Sequence, residues 1–200
     1  MIRNLVFDFG KVLVHFDPEY MVGRFVSDPD DAALLEAVLF DRLYWDRLDA
    51  GTISDEETLR LSCERLPERL HSVAEKIYYA WIYNLPEIDG MRELLVGIKE
   101  RYGTPLYLLS NISLYFASPR DEIPILELFD KCIFSAEVGS VKPSREIFGK
   151  LCSECGILPE ETLFVDDSPI NVEGARDFGL HAYLFDGNAA RLGEYIESVL

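Results

Sequence analysis

Two hundred residues, 48% of them hydrophobic and 12% aromatic, are enough for one packed domain or for one domain carrying a sizeable insertion. Lysine and arginine number 19 against 36 aspartates and glutamates, and the net charge of −17 repels phosphate backbones and anionic membranes, which argues against nucleic-acid and membrane partners. No run of about 18 apolar residues occurs, and "MIRNLVFDFG" has no small-residue cleavage site, so a soluble, cytoplasmic chain with four reduced cysteines is expected.

The first predicted element is the strand "NLVFDF" (4–9), an apolar run that carries Asp8 near its end and is followed by Gly10. From Pro18 to Pro86 the pattern is helical instead: "AALLEAVLFDRLYWDRL", "SDEETLRLSCERL" and "HSVAEKIYYAWIYNL", separated by Gly51 and Pro67. Ser54 with Glu57 supplies a capping box for the middle segment, and Tyr78, Trp81 and Leu85 form one apolar stripe. Strand and helix then alternate. Strands are expected at 105–110, 131–135, 161–166 and 181–185, and helices at 90–103, 144–156, 169–179 and 188–200. This alternation predicts an α/β fold, a Rossmann-like parallel sheet covered by helices. The domain boundaries that follow are 1–17 with 87–200 for the α/β core and 18–86 for an inserted helical cap. "LCSECG" (152 and 155 paired) reads as half-buried cysteines at a helix C-terminus: a redox pair favours a helix N-terminus, and a zinc site needs two further ligands.

Parallel strands deliver their C-terminal ends to one edge, where α/β sheets bind ligands. Asp8 closes strand one, Ser110 and Asn111 close strand two, and Asp166 and Asp167 close strand four, while Lys142 lies in the loop before the 144–156 helix. Singly, each has a structural explanation: Asp167 as a helix cap, Ser110-Asn111 as a turn, Lys142 as a solvated surface lysine. Together they place carboxylates, a hydroxyl, an amide and an ammonium at one crevice. In this order and on these elements the chain resembles the haloacid dehalogenase-like hydrolase superfamily, of the helical-cap phosphatase type, over nearly its whole length.

That resemblance implies a hydrolase, a phosphoric monoester phosphatase dependent on Mg²⁺. Asp8 matches the nucleophile that forms an aspartyl-phosphate, and Ser110, with the Asn111 amide beside it, matches the phosphate-binding position. Lys142 matches the lysine that neutralises nucleophile and phosphate. Asp8, Asp167 and the main-chain carbonyl of Gly10 match the metal ligands. Asp166 stands where many relatives have glycine and Asn171 where many have a second acid, both behind the ligands. This "DD" pattern is similar to the phosphatase domain of mammalian soluble epoxide hydrolase and to some bacterial sugar-phosphate phosphatases, and the D-x-G pattern of Asp8 and Gly10 resembles that of sugar-1-phosphate phosphatases. The implied partner is a small phosphorylated metabolite, such as a sugar phosphate.

Gly10 departs from the family, whose phosphatases usually carry there an aspartate that protonates the leaving group. General acid–base catalysis contributes about 10²–10⁴-fold, so the deletion matters. Three readings follow: a phosphatase whose proton comes from elsewhere, with Lys11, His15 and Asp17 close in sequence; a weak or non-catalytic phospho-ligand binding protein; and a 2-haloacid dehalogenase, whose relatives lack the metal-binding acids that "DDS" supplies here.

Overall fold

Strand β1 (Asn4–Phe7) is the centre of the sheet. In the computed structural model, which describes residues 1–83 and 85–200, it pairs in parallel with β2 (Leu106–Ser110) on one side and β4 (Thr162–Asp166) on the other. β3 (Lys131–Phe134) and β5 (His181–Leu184) complete the five strands in the order β3-β2-β1-β4-β5, all parallel. The sheet reverses direction of build-up at β1, so the crevice at its C-terminal edge opens beside Asp8.

Both faces of the sheet are buried, which explains the near-continuous apolar runs. Leu5, Phe7, Leu106, Leu108, Leu163 and Val165 point to one face, covered by α6 (Met91–Tyr102) and α11 (Ala189–Val199). Val6, Leu109 and Phe164 point to the other, covered by α9 (Arg145–Cys155) and α10 (Pro169–Phe178). The strand-helix alternation expected from the sequence is therefore present, with Ser144 capping α9 and Gly156 ending it in a left-handed conformation.

Among the described residues between β1 and α6 lie five helices: α1 (Pro18–Gly23), α2 (Pro29–Leu39), α3 (Arg42–Asp49), α4 (Asp55–Cys63) and α5 (Glu68–Ala80). The sequence pattern suggested one long helix where α2 and α3 stand. Asp41 divides them, because its carboxylate accepts the Leu43 N–H and starts a new helix. The Ser54 cap is present, its hydroxyl accepting the Glu57 N–H at 3.1 Å, but the Glu57 carboxylate turns to Arg60 instead of closing the box. Tyr78 and Trp81 are buried, as the stripe required.

Two stretches differ from expectation. β1 stops at Phe7, since Asp8 to Val14 fold into a tight loop in which the Phe9 carbonyl accepts from Leu13 and the Lys11 N–H donates to Val14. The β2-to-β3 connection contains a one-turn helix α7 (Leu114–Ala117) and two 3₁₀ turns, and β3 is followed directly by the short helix α8 (Ser135–Val138). All four cysteines are free, and burial pushes the thiols of Cys132, Cys152 and Cys155 up to about 11, the reverse of a reactive pair. Among the described residues no helix is long and apolar enough to cross a membrane.

Candidate active site

The sheet edge assembles around Lys142. Its ammonium lies 2.6 Å from Asp8 Oδ1 and 2.8 Å from Asp166 Oδ2, with the lysine side chain only 2% exposed. An ammonium this deep is tolerated because it is doubly paired: burial alone lowers its pKa, and the Asp8 and Asp166 charges outweigh that and raise it, so it stays charged.

Asp166, at the end of β4, is fully buried. Its Oδ1 accepts the Ser168 N–H at 2.8 Å, both of its oxygens accept from Asn171 Nδ2 at 3.1 Å, and its Oδ2 accepts a hydrogen bond from the Lys142 ammonium at 2.8 Å. Its oxygens are thus engaged in holding the lysine and the start of α10. Asp167 is free of such work. It does not cap α10, whose N-cap is Ser168, and burial together with the Asp166 charge raises its carboxyl above the ordinary value. Asp8 is raised to about 7, by burial first, with Lys142 opposing and Asp166 adding to it.

Asp8, Asp166 and Asp167 each offer one oxygen, and the three lie within 4.8 Å of one another. Three carboxylates against one ammonium leave an excess of negative charge in a half-enclosed site, the donor set that a hard divalent cation satisfies. Since Asp166 is already engaged, Asp8 and Asp167 are the carboxylates with lone pairs to give.

Asn111, expected beside Ser110 to bind substrate, lines the same cavity. Its Oδ1 accepts the Lys142 N–H at 2.8 Å and its Nδ2 donates one hydrogen to the Lys142 carbonyl at 3.2 Å, so the amide also positions the lysine. Ser110 is buried at the end of β2 and lines the same cavity.

That cavity, about 550 Å³, is bounded by Asp8, Gly10, Ser110, Lys142 and Asp167 on the sheet side. The opposite side comes from residues the sequence motifs do not contain: Phe16, Arg42, Trp45, Asp46, Asp49 and Trp81. Phe16, Trp45 and Trp81 pack edge to face or tilted, with ring centroids 5.4–5.7 Å apart. The tryptophan positions had a sequence signal in their aromatic surroundings; Arg42 and Asp46 had none. Of the three residues near Gly10, only Lys11 lines the cavity, in a left-handed conformation at φ 59°. His15 is exposed, and Asp17 caps α1 by accepting from Glu19 and Tyr20.

Gly10 is not glycine for steric reasons. A Cβ built there meets Phe16 Cβ at 3.5 Å, an ordinary contact, and the residue has no positive φ.

D-ribitol-5-phosphate phosphatase of Bacteroides thetaiotaomicron is 29% identical over 199 residues, which cover 92% of this chain and 91% of that protein. The solved structure of a HAD-like family hydrolase from Porphyromonas gingivalis superposes with a TM-score of 0.74 at 29% identity, covering 100% of this chain and 98% of the other. A HAD family enzyme from Bacteroides thetaiotaomicron, solved in complex with magnesium and inorganic phosphate, matches at a TM-score of 0.68 and 25% identity over 94% and 96% of the two chains. The model of the haloacid dehalogenase-like hydrolases matches residues 2–179, the β1 loop, the Lys142 loop and the β4 acids included. With that match over a five-stranded parallel sheet and its acidic edge, the chain belongs to the haloacid dehalogenase-like hydrolase family.

Proposed function

We propose that the protein is a Mg²⁺-dependent phosphatase that hydrolyses a small phosphate monoester through a phosphorylated Asp8. The observation that carries this reading is the pair of contacts from Lys142 to Asp8 and Asp166 beside an unengaged Asp167. It orients one Asp8 oxygen on the ammonium and leaves the other for attack.

The metal would be held by Asp8, Asp167 and the Gly10 carbonyl. Once bound there, Mg²⁺ supplies charge neutralisation for the carboxylates and the phosphoryl group. Lys142 holds Asp8 and offsets charge on the approaching phosphate, the Ser110 hydroxyl binds a phosphoryl oxygen, and Asp8 attacks phosphorus in line with the leaving oxygen. Asp166 and Asn171 act on the lysine and the loop, and Asn111 braces the lysine from the cavity wall beside Ser110.

Residues 18–86 serve as the cap over a core of 1–17 and 87–200, and the cap sets the substrate. A 550 Å³ cavity walled by Trp45, Trp81 and Phe16, with Arg42 and Asp46 at its rim, suits a polyol or sugar phosphate: aromatic faces pack on C–H surfaces while charged groups take hydroxyls. The phosphate ester named for the 29% identical relative belongs to this chemical class.

The test is turnover of an aryl phosphate and of a panel of pentitol and hexose phosphates. Activity that requires Mg²⁺, stops with EDTA and vanishes in Asp8→Asn is the expected result. Metal-independent halide release from 2-haloacids, or tight binding of beryllofluoride without turnover of any ester, would overturn it.

A further inference from the structure

The cavity contains an acid that the foregoing chemistry leaves idle. Asp49, the last residue of α3, is 8% exposed and lines the cavity together with Asp8, Lys142 and Asp167. Among the described residues its carboxylate makes no hydrogen bond and no ion pair; its main-chain carbonyl accepts the Ser135 hydroxyl at 2.7 Å. Its carboxylate oxygens are not among the fully buried unpartnered atoms, so they face the interior of the cavity, where a substrate can reach them.

Its place is fixed from the core side. Ser135 is fully buried at the end of β3, and its Oγ also accepts the Ile112 N–H at 2.9 Å, just beyond Ser110 and Asn111. The end of α3 is thereby tied to the C-terminal ends of β2 and β3, and α3 packs on α8. Asp49 thus lines the same cavity as Asp8, Lys142 and Asp167 from the end of a helix, not from a loop.

We propose that Asp49 is the general acid and base that the Gly10 position lacks. The inference rests on the phosphatase reading. As Asp8 Oδ forms its bond to phosphorus, the bond from phosphorus to the leaving oxygen breaks with its electron pair on that oxygen. The leaving oxygen takes the Asp49 proton and departs as an alcohol. The Asp49 carboxylate then takes a proton from water while the water oxygen bonds to phosphorus. The phosphorus–Asp8 bond breaks with its pair returning to the carboxylate, and inorganic phosphate leaves with Asp49 again protonated.

The electrostatics suit the task. Burial pushes the Asp49 carboxyl up to about 7; Arg42 on its own helix and Lys142 from the core oppose this, and Asp46 and Asp8 add to it. A general acid works best with a pKa near the working pH.

The experiment compares kcat/KM of wild type, Asp49→Asn and Asp49→Glu with Mg²⁺ across phosphate monoesters whose leaving groups run from nitrophenol to alkyl and polyol alcohols. kcat/KM reports steps up to leaving-group departure, where an acid helps poor leaving groups most. Asp49→Asn is expected to lose about 10²–10⁴-fold on alkyl esters and less than about tenfold on nitrophenyl phosphate. Wild-type kcat/KM on alkyl esters is expected to fall on the alkaline side as Asp49 loses its proton, and Asp49→Asn should lose that fall. Asp49→Glu should recover part of the alkyl-ester rate. An equal loss across the series, with the alkaline fall retained, would overturn the role of Asp49 and leave the phosphatase reading standing. Wild type that turns over no phosphate ester would remove both.

Discussion

Asn111 holds Lys142 by its main chain, accepting the lysine N–H at 2.8 Å and donating to its carbonyl at 3.2 Å, across 31 residues of sequence. The lysine backbone has no freedom to drift from Asp8 and Asp166 while this clasp is closed. Asn111→Ala removes both bonds and leaves a main-chain N–H and C=O at a half-buried position without partners, a cost of about 1–3 kcal/mol. Such positioning partners commonly carry about 10–100-fold in activity. The variant is therefore expected to keep its fold, melt lower than wild type and lose kcat on aryl phosphate by that factor, as read by thermal denaturation and steady-state kinetics.

Lys142 itself is predicted to be the costliest side chain of the site to remove. Lys142→Met fits the space but leaves Asp8 and Asp166 facing each other with no counter-charge, and breaking a buried pair from one side costs about 3–5 kcal/mol. Urea denaturation at neutral pH without metal should show a loss of that order. An unchanged midpoint would mean that the two contacts of 2.6 and 2.8 Å contribute nothing to the folded state.

Gly174 guards the same lysine from behind. A Cβ at this position in α10 would stand 2.6 Å from Pro143 Cβ and 2.8 Å from the Pro143 carbonyl oxygen, and Pro143 follows Lys142 directly. Alanine raises helix propensity by about 1 kcal/mol over glycine, but an overpacking clash with main chain costs about 1–3 kcal/mol, so the clash is expected to win. Gly174→Ala should lower both the melting temperature and kcat. Gly149→Ala in α9 is the matched control: its Cβ meets only Phe178, at 3.9 Å, so it should be neutral or stabilising by about 0.5–1 kcal/mol.

The sheet and the acids at its edge were legible in the sequence because burial on both faces writes itself as apolar runs, and each run ends on a polar residue. The division of labour between Asp166 and Asp167 was less so. It depends on which lone pairs Lys142, Ser168 and Asn171 have already taken, and those bonds span up to 24 residues. The break between α2 and α3 was written locally, in Asp41, but the apolar periodicity running through it masked the cap. The Asp49–Ser135 bond joins residues 86 apart, and neither neighbourhood carries a pattern that points to the other. What Gly10 deletes was visible in one residue; what stands over it required the folded helix α3.

The burial of Asp49 also predicts how stability responds to pH. Its carboxyl sits near 7 in the folded chain against an ordinary 3.8, so the folded state binds the proton more tightly than the unfolded state. The stability this proton provides is complete below about pH 4 and is lost as pH rises toward and through 7, where folding must bury the charged form, a penalty on the order of 1–4 kcal/mol. Asp8 titrates in the same range in both wild type and Asp49→Asn, so the difference between the two reports Asp49 together with its coupling to the Asp8 charge. Measured without added Mg²⁺, Asp49→Asn should match wild type near pH 4.5 and exceed it at pH 8, while losing alkyl-ester turnover at both. A stability difference that is flat from pH 4.5 to 8 would mean that Asp49 carries its charge in the folded protein throughout, and a carboxyl already ionised at pH 4.5 has no proton to give a leaving group at neutral pH.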